Sequence, residues 1–216
     1  MRIAVLGTGG VGRAIAGRLC ELGHDVTVGT RDPEATRRTE DAGGWLDAHP
    51  TVSLLGFGEV ADDAEVVVNA TNGSASLDVL ALAGPSLSGK VLVDISNPLD
   101  FSKGMPPTLT VDNTDSLAEQ IQRAHPQARV VKTLNTLTAD LMVHPETLPA
   151  ATSVFMSGND AAAKEVVAGL LRQLGHTDVI DLGDITTARG PEMYLPLWLR
   201  LWGALGTARF NVAVVR

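Results

Sequence analysis

A chain of 216 residues suits one good-sized domain, or one domain with a small appendage, and its 44% apolar and 19% charged residues are enough to build a real core. The formal net charge of −8 argues against nucleic acid as a partner, and the lone cysteine, Cys20, excludes an internal disulfide, in keeping with a cytoplasmic protein. The long apolar stretch from Tyr194 to Val215 contains Pro196, Arg200, Arg209 and Asn211, which argues against a membrane span.

The N-terminus enters a strand directly, leaving no room for a cleaved signal peptide. Arg2–Leu6 reads as a buried parallel strand that runs straight into the loop Gly7-Thr8-Gly9-Gly10-Val11-Gly12. Gly7 permits a tight turn, Gly9 lets backbone approach a pyrophosphate, and Gly12 lets the following helix pack closely on the sheet. That helix runs to about Leu22 and ends at Gly23-His24, so its N-terminus offers free N–H groups and a partial positive charge to an anion. A second strand, Val26–Arg31, completes the context that a bare glycine motif lacks.

The end of this second strand selects the dinucleotide. A carboxylate there would accept a ribose 2′-hydroxyl and repel a 2′-phosphate. This chain instead has Thr30 and Arg31, whose hydroxyl and guanidinium suit the phosphate of NADP(H). Asp32 follows directly and offsets part of this charge, and Arg37 and Arg38 add positive field.

The strands and helices then alternate. A helix spans about Pro33 to Asp47, a short strand Thr51–Leu55, and a turn Gly56 to Asp63. The fourth strand, Glu65–Thr71, puts its tip, Ala70-Thr71-Asn72-Gly73, at the carboxyl edge beside the cofactor. A helix to Ala83 leads to a fifth strand, Lys90–Ser96, followed by Asn97-Pro98. Residues 99–114 read as a long loop bordering a site. A helix from Ser116 to His125 precedes the sixth strand, Arg129–Leu134, which ends in Asn135-Thr136-Leu137. A short helix Ala139–Val143, a strand Ser153–Ser157, a helix from Asp160 to Leu174 and a strand Asp178–Leu182 follow. The segment from about Ile185 to Val215 reads as a long apolar helix or a pair of helices interrupted at Pro191 and Pro196. The alternation specifies an α/β fold: a Rossmann-type, doubly wound, mostly parallel sheet with a helical C-terminal segment. Residues 1–183 form the extended NADP-binding domain and residues 184–216 the helical segment.

No catalytic constellation stands out. There is no Ser-x-x-x-Lys or Tyr-x-x-x-Lys pairing, the five histidines are scattered, and one cysteine with no His-x-x-x-His pair gives no metal site. His144 reads as a turn residue and Tyr194 as packing. Topology puts Asn135 and Thr136 over the cofactor, where each could equally cap the following helix. A ketone reductase needs a proton donor for the developing alkoxide. Hydride passed between two cofactors needs mainly stacking, orientation and exclusion of water.

These motifs resemble the NADPH:coenzyme F420 oxidoreductases. The resemblance rests on Gly7-Thr-Gly-Gly-Val-Gly12, Leu22-Gly-His-Asp-Val-Thr-Val-Gly-Thr-Arg31, Ser96-Asn97-Pro98, Val131-Lys-Thr-Leu-Asn-Thr-Leu137 and Asp181-Leu-Gly-Asp-Ile-Thr-Thr-Ala-Arg189. It implies a cytoplasmic homodimer with a deazaflavin, coenzyme F420, stacked on the nicotinamide. It also implies cofactor contacts at Thr8, Gly9, Val11, Thr30, Arg31, Thr71 and Asn97, and a hydride-transfer region near Asn135, Leu137 and the start of the last helix. Where the family has a histidine after the sixth strand, this chain has Asn135. Where the family's last helix opens with small hydroxyl residues, it has Met193 and Leu195. Two other readings stay open on the residues alone: an NADPH-dependent reductase of a small carbonyl, imine or flavin, and a non-catalytic NADP-binding sensor.

Overall fold

Short β-branched runs separated by helices build one eight-stranded sheet in the computed structural model, which describes residues 1–216. In chain order the elements are β1 Arg2–Leu6, α1 Gly10–Glu21, β2 Asp25–Thr30, α2 Pro33–Arg37, α3 Glu40–Ala48, β3 Ser53–Gly56, β4 Val66–Asn69, α4 Gly73–Ala83, β5 Val91–Asp94, β6 Leu99–Asp100, β7 Thr108–Leu109, α5 Leu117–Ala124, β8 Arg129–Thr133, α6 Ala139–Val143, β9 Ser153–Gly158, α7 Ala161–Gln173, β10 Asp178–Asp181, α8 Arg189–Met193 and α9 Leu195–Leu205. The strand order is β10-β9-β8-β5-β4-β1-β2-β3. All neighbours are parallel except β8 and β9, so β9 and β10 run against the other six strands. The order reverses between β1 and β4, and their carboxyl ends open the crevice where such sheets bind ligands.

Residue alternation divides the core. Ile3 and Val5 of β1 pack on one face with Ile15 of α1, Leu141 of α6 and Leu171 of α7. Ala4 and Leu6 pack on the other face with Leu80 of α4 and Ile121 of α5. Both faces are covered, which is why the parallel strands read as continuous apolar runs.

All eight strands expected from the sequence are present, with three corrections elsewhere. The helix expected over Pro33–Asp47 is two helices. Thr39 adopts an extended conformation and its side chain accepts from the Ala42 amide, capping α3, much as Asp32 caps α2 through the Ala35 amide. The long loop after β5 carries a small antiparallel hairpin, with Leu99 paired to Leu109. The C-terminal helix stops at Leu205, where Gly206 takes the left-handed conformation at φ 65°. The tail instead lies beside the start of β9: the Ser153 amide donates to Val212 O at 2.9 Å, and the Val214 amide donates to Ser153 Oγ at 2.9 Å. No helix is long and apolar enough to cross a membrane.

Candidate active site

The glycine loop makes two kinds of demand on its residues. Gly7 sits at φ 112°, and a Cβ there would lie 2.9 Å from Ala70 O; a Cβ on Gly12 would lie 2.0 Å from Gly7 O. These two glycines are required by the packing of β1, α1 and β4. Gly9 and Gly10 differ, since a Cβ on either would meet nothing within 4 Å. The open space lies over the start of α1, whose N-cap, Gly9, makes no side-chain hydrogen bond. The room at Gly9 and Gly10 would let a pyrophosphate come up to the first-turn amides of α1. Thr8 lies in the same loop and its carbonyl accepts from Arg13 Nη1 at 3.3 Å.

Thr30 ends β2 and Arg31 follows it, beside this loop, where the Gly7 amide donates to Gly29 O at 2.9 Å. The Thr30 hydroxyl is buried and shares a 2.8 Å hydrogen bond with Thr36 Oγ1, which ties the strand end to α2. Arg31 is exposed, and its guanidinium makes no ion pair or hydrogen bond within the chain. The only nearby ion pair, Arg38 with Glu34, is long and exposed at 3.8 Å. An exposed guanidinium with no internal partner, on the residue after Thr30, suits a 2′-phosphate.

A cleft of about 280 Å³ opens at the carboxyl edge of β1, β4 and β5, lined by Val11, Ala70, Thr71, Asn72, Gly73, Ile95, Ser96, Asn97, Leu99, Phe101, Leu137 and Met142. None of these side chains titrates near neutrality. The structure thus brings Val11 of the glycine loop, the β4 tip, Asn97 and Leu137 to one opening, while the loop's other residues, Thr30 and Arg31 do not line it. Asn72 spends its Oδ1 on the Ser74 amide at 3.1 Å, capping α4. α4 in turn packs so closely that a Cβ on Gly73 would fall 1.9 Å from Asn97 O.

Asn135 is 3% exposed and lies behind this lining rather than in it. Its Nδ2 donates to Asn97 Oδ1 at 2.9 Å and to Pro191 O at 3.0 Å, while Asn97 Nδ2 donates to Asn135 O at 2.8 Å. The two asparagines orient each other, and Asn135 also holds α8.

Beneath Asn97 lies a charged cluster that the sequence reading missed. Lys132 Nζ donates to Asp94 Oδ2 at 2.8 Å and to Ser96 O at 2.6 Å, and it contacts Glu192 Oε1 at 2.8 Å. None of the three side chains is more than 1% exposed. Burial alone would push the Lys132 ammonium down, but the adjacent Asp94 and Glu192 carboxylates outweigh it and raise its pKa. The Glu192 carboxylate also accepts the Leu117 and Ala118 amides at 2.8 and 3.1 Å, at the positive end of α5. Asp94 Oδ1 accepts from Asn69 Nδ2 at 2.9 Å and from the Ser96 hydroxyl at 2.7 Å. Asn69 Oδ1 in turn accepts from the Thr71 hydroxyl at 2.6 Å. One hydrogen-bonded chain therefore runs from Thr71 in the cleft to Glu192 on α8. The signal for it was present: charged residues closing the otherwise apolar runs of β5 and β8 need partners in a sheet covered on both faces.

His144 and Tyr194 are not brought to the cleft. His144 Nδ1 lies 3.1 Å from Glu146 Oε1 at a half-exposed turn. The Tyr194 hydroxyl is enclosed without a partner, and burial raises its pKa. No cluster of three or more His, Cys, Asp or Glu residues is arranged to hold a metal ion.

Residues 2–98 match the family model described as NADP oxidoreductase coenzyme F420-dependent. The chain is 63% identical, over the whole of both chains and with a TM-score of 0.98, to a crystal structure from Arthrobacter sp. FB24 provisionally named an F420-dependent NADP reductase. It is 28% identical to the F420-dependent NADP reductase of Methanothermobacter marburgensis, covering 93% of this chain and 92% of that one. It is 29% identical to the metalloreductase STEAP3 of Rattus norvegicus, but spans only 38% of that longer protein. With its parallel sheet, glycine loop and cleft all in place, the chain belongs to the family of F420-dependent NADP reductases.

Proposed function

We propose that this protein transfers a hydride between NADP(H) and a deazaflavin of the coenzyme F420 type. The observation that carries the reading is the chemistry of the cleft: an opening of about 280 Å³ beside an anion-ready helix start, walled by apolar and neutral polar groups with no acid or base among them. Such walls suit two flat rings brought together, because hydride transfer between cofactors demands orientation and dryness more than proton transfer.

The loop Gly7–Gly12 would hold the pyrophosphate on the first-turn amides of α1, and Thr30 with Arg31 would hold the 2′-phosphate. Ala70, Thr71, Asn72 and Asn97 would wall the nicotinamide, with Leu137 and Met142 excluding water and Asn135 fixing the angle of Asn97. NADPH, when bound, supplies the hydride. Residues 1–183 would carry the nucleotide and residues 184–216 the acceptor side. Leu197, Trp202 and Leu205 on α9 are 56%, 40% and 56% exposed, which supports a homodimer formed through this helix. A cytoplasmic location fits the single free cysteine.

The test is anaerobic mixing of the protein and NADPH with F420, and separately with a flavin, a ketone and an imine. Rapid oxidation of NADPH with F420 alone supports the proposal. Turnover with the ketone or imine but not F420 moves the activity to a carbonyl or imine reductase. NADPH binding with no oxidation by any acceptor leaves a sensor.

A further inference from the structure

Helix α8 has five residues, too few to hold itself, and only Pro191 and Glu192 of it are buried. Its place is therefore set by directed polar contacts. Arg189 makes a two-pronged pair with Glu119, Nε to Oε2 at 2.9 Å and Nη2 to Oε1 at 2.6 Å. Asn135 Nδ2 holds Pro191 O at 3.0 Å. The Glu192 carboxylate bridges the start of α5 and Lys132.

Lys132 is the hub. An ammonium has three N–H bonds, and here three acceptors meet them: Asp94 Oδ2, Ser96 O and Glu192 Oε1. One of these fixes the β5 end that carries Asn97 to the cleft, and another fixes α8. An apolar side chain of similar size would fill the space without fixing either direction. The glycine loop, Thr30 and Arg31 take no part in these contacts.

We infer that Glu192 is a positioning residue for the second substrate: anchored on Lys132 and the start of α5, it sets α8 against the cleft and leaves the grip on NADP(H) to the glycine loop, Thr30 and Arg31. This inference rests on the proposed hydride-transfer role of the cleft. Helix α8 stands one side chain, Asn135, from the cleft residue Asn97, and shares no hydrogen bond with the glycine loop, Thr30 or Arg31.

Glu192→Gln is the variant to measure. It removes one charge and leaves Lys132 paired with Asp94, so the interior stays balanced; Lys132→Met, which leaves two carboxylates unpaired, serves as the harsher second variant. Three readouts separate positioning from general support. Hydrogen exchange of the amides in residues 189–205 should quicken by about tenfold or more in Glu192→Gln, while those of β1 and α1 stay as in the wild type. The Kd for NADPH, read by fluorescence, should stay within about threefold. With F420 as acceptor, kcat/KM should fall about tenfold, chiefly through a raised KM. Unchanged exchange in residues 189–205 would overturn the inference. So would NADPH affinity falling in step with the acceptor KM, which is the mark of general loosening. If F420 is not an acceptor at all, the proposed activity fails on its own, and the exchange and NADPH arms still decide whether Glu192 places α8 without touching the cofactor grip.

Discussion

Asp94 and Lys132 are register partners on β5 and β8, and their side chains meet at 2.8 Å with neither exposed to solvent. Taking both charges out of water is costly, and the pair persists because every remaining site on it is bonded: Asn69 and Ser96 to the carboxylate, Ser96 O and Glu192 to the ammonium. The cluster therefore contributes direction more than net stability, while the loss of one member is severe. Lys132→Met leaves the buried Asp94 and Glu192 carboxylates without their cation and should lose about 3–5 kcal/mol in denaturant unfolding. A loss below about 1 kcal/mol would mean that water reaches the cluster.

The glycines separate packing from binding. Gly12→Ala puts a methyl 2.0 Å from Gly7 O, so the protein should unfold more easily whether or not cofactor is present. Gly9→Ala meets no protein atom within 4 Å, so thermal stability without cofactor should stay near wild type while NADPH affinity drops. Equal thermal losses in the two variants would sink the idea that Gly9 is kept clear for the ligand.

Much of this arrangement was legible in the sequence, for physical reasons that differ by element. The eight strands and the glycine loop were readable because buried parallel strands are apolar runs and the turn after β1 has steric demands that only glycine meets. The break at Thr39 was not, because a cap competes with helix continuation only through local conformation, and Pro33–Asp47 carries no Pro or paired-Gly stop at that point. The end of α9 at Leu205 was marked by Gly206, but the apolar tail beyond it reads as more helix until its hydrogen bonds to Ser153 are seen. Leu137 was named only through the family resemblance, and it lines the cleft. Asn135 was placed there by topology, yet it turns back to bind Asn97 and Pro191, since its partner on α8 lies 56 residues further along the chain. The Lys132 cluster joins residues of β5, β8 and α8; the two strands alone signal that their buried charges need partners, but spacing along one chain does not show which third element supplies one.

Arg31 should read the 2′-phosphate. Its guanidinium has no partner within the chain, so removing it disturbs no internal contact. Arg31→Ala should weaken NADPH binding roughly tenfold to a hundredfold, corresponding to about 1.5–3 kcal/mol for a hydrogen bond to a charged group. NADH binding should be nearly unchanged. Titration of both nucleotides checks this, and equal weakening would show that Arg31 supports the loop without touching the phosphate.

His176 makes stability depend on pH in a known direction. It is 2% exposed, and burial pushes its pKa below the ordinary histidine value, only partly offset by the hydrogen bond between Nε2 and Met142 O. The unfolded chain therefore takes up a proton at about pH 6.5, where the folded chain does not. Stability is full above that pH and declines as pH falls below it, until the folded histidine is itself protonated. His125, also lowered by burial, adds a decline of the same sign. Unfolding of wild type and His176→Gln compared from pH 7.5 to 5 should show a shallower decline in the variant. Parallel curves would mean that His176 takes up its proton without opening its site.

The reaction itself should be nearly indifferent to protein ionisation. The twelve residues that line the cleft include no carboxylate, imidazole, amine or phenol. Tyr194 is enclosed elsewhere with its hydroxyl unpartnered, and His144 pairs with Glu146 at a half-exposed turn. Hydride transfer with F420 should therefore show a shallow pH profile set by the acceptor's own ionisation, without the bell produced by two titrating protein groups. Tyr194→Phe and His144→Ala should keep turnover within about threefold of wild type, since neither loses a group that meets the reacting atoms. Asn135→Ala should behave differently. It releases Asn97 and Pro191 together, so turnover should fall by about tenfold without vanishing, through poorer placement of the acceptor. Collapse of activity in Tyr194→Phe or His144→Ala would reveal a proton donor that reaches the cleft only when substrate is bound. The reduction of a carbonyl or imine, which requires such a donor, would then displace hydride exchange with a deazaflavin.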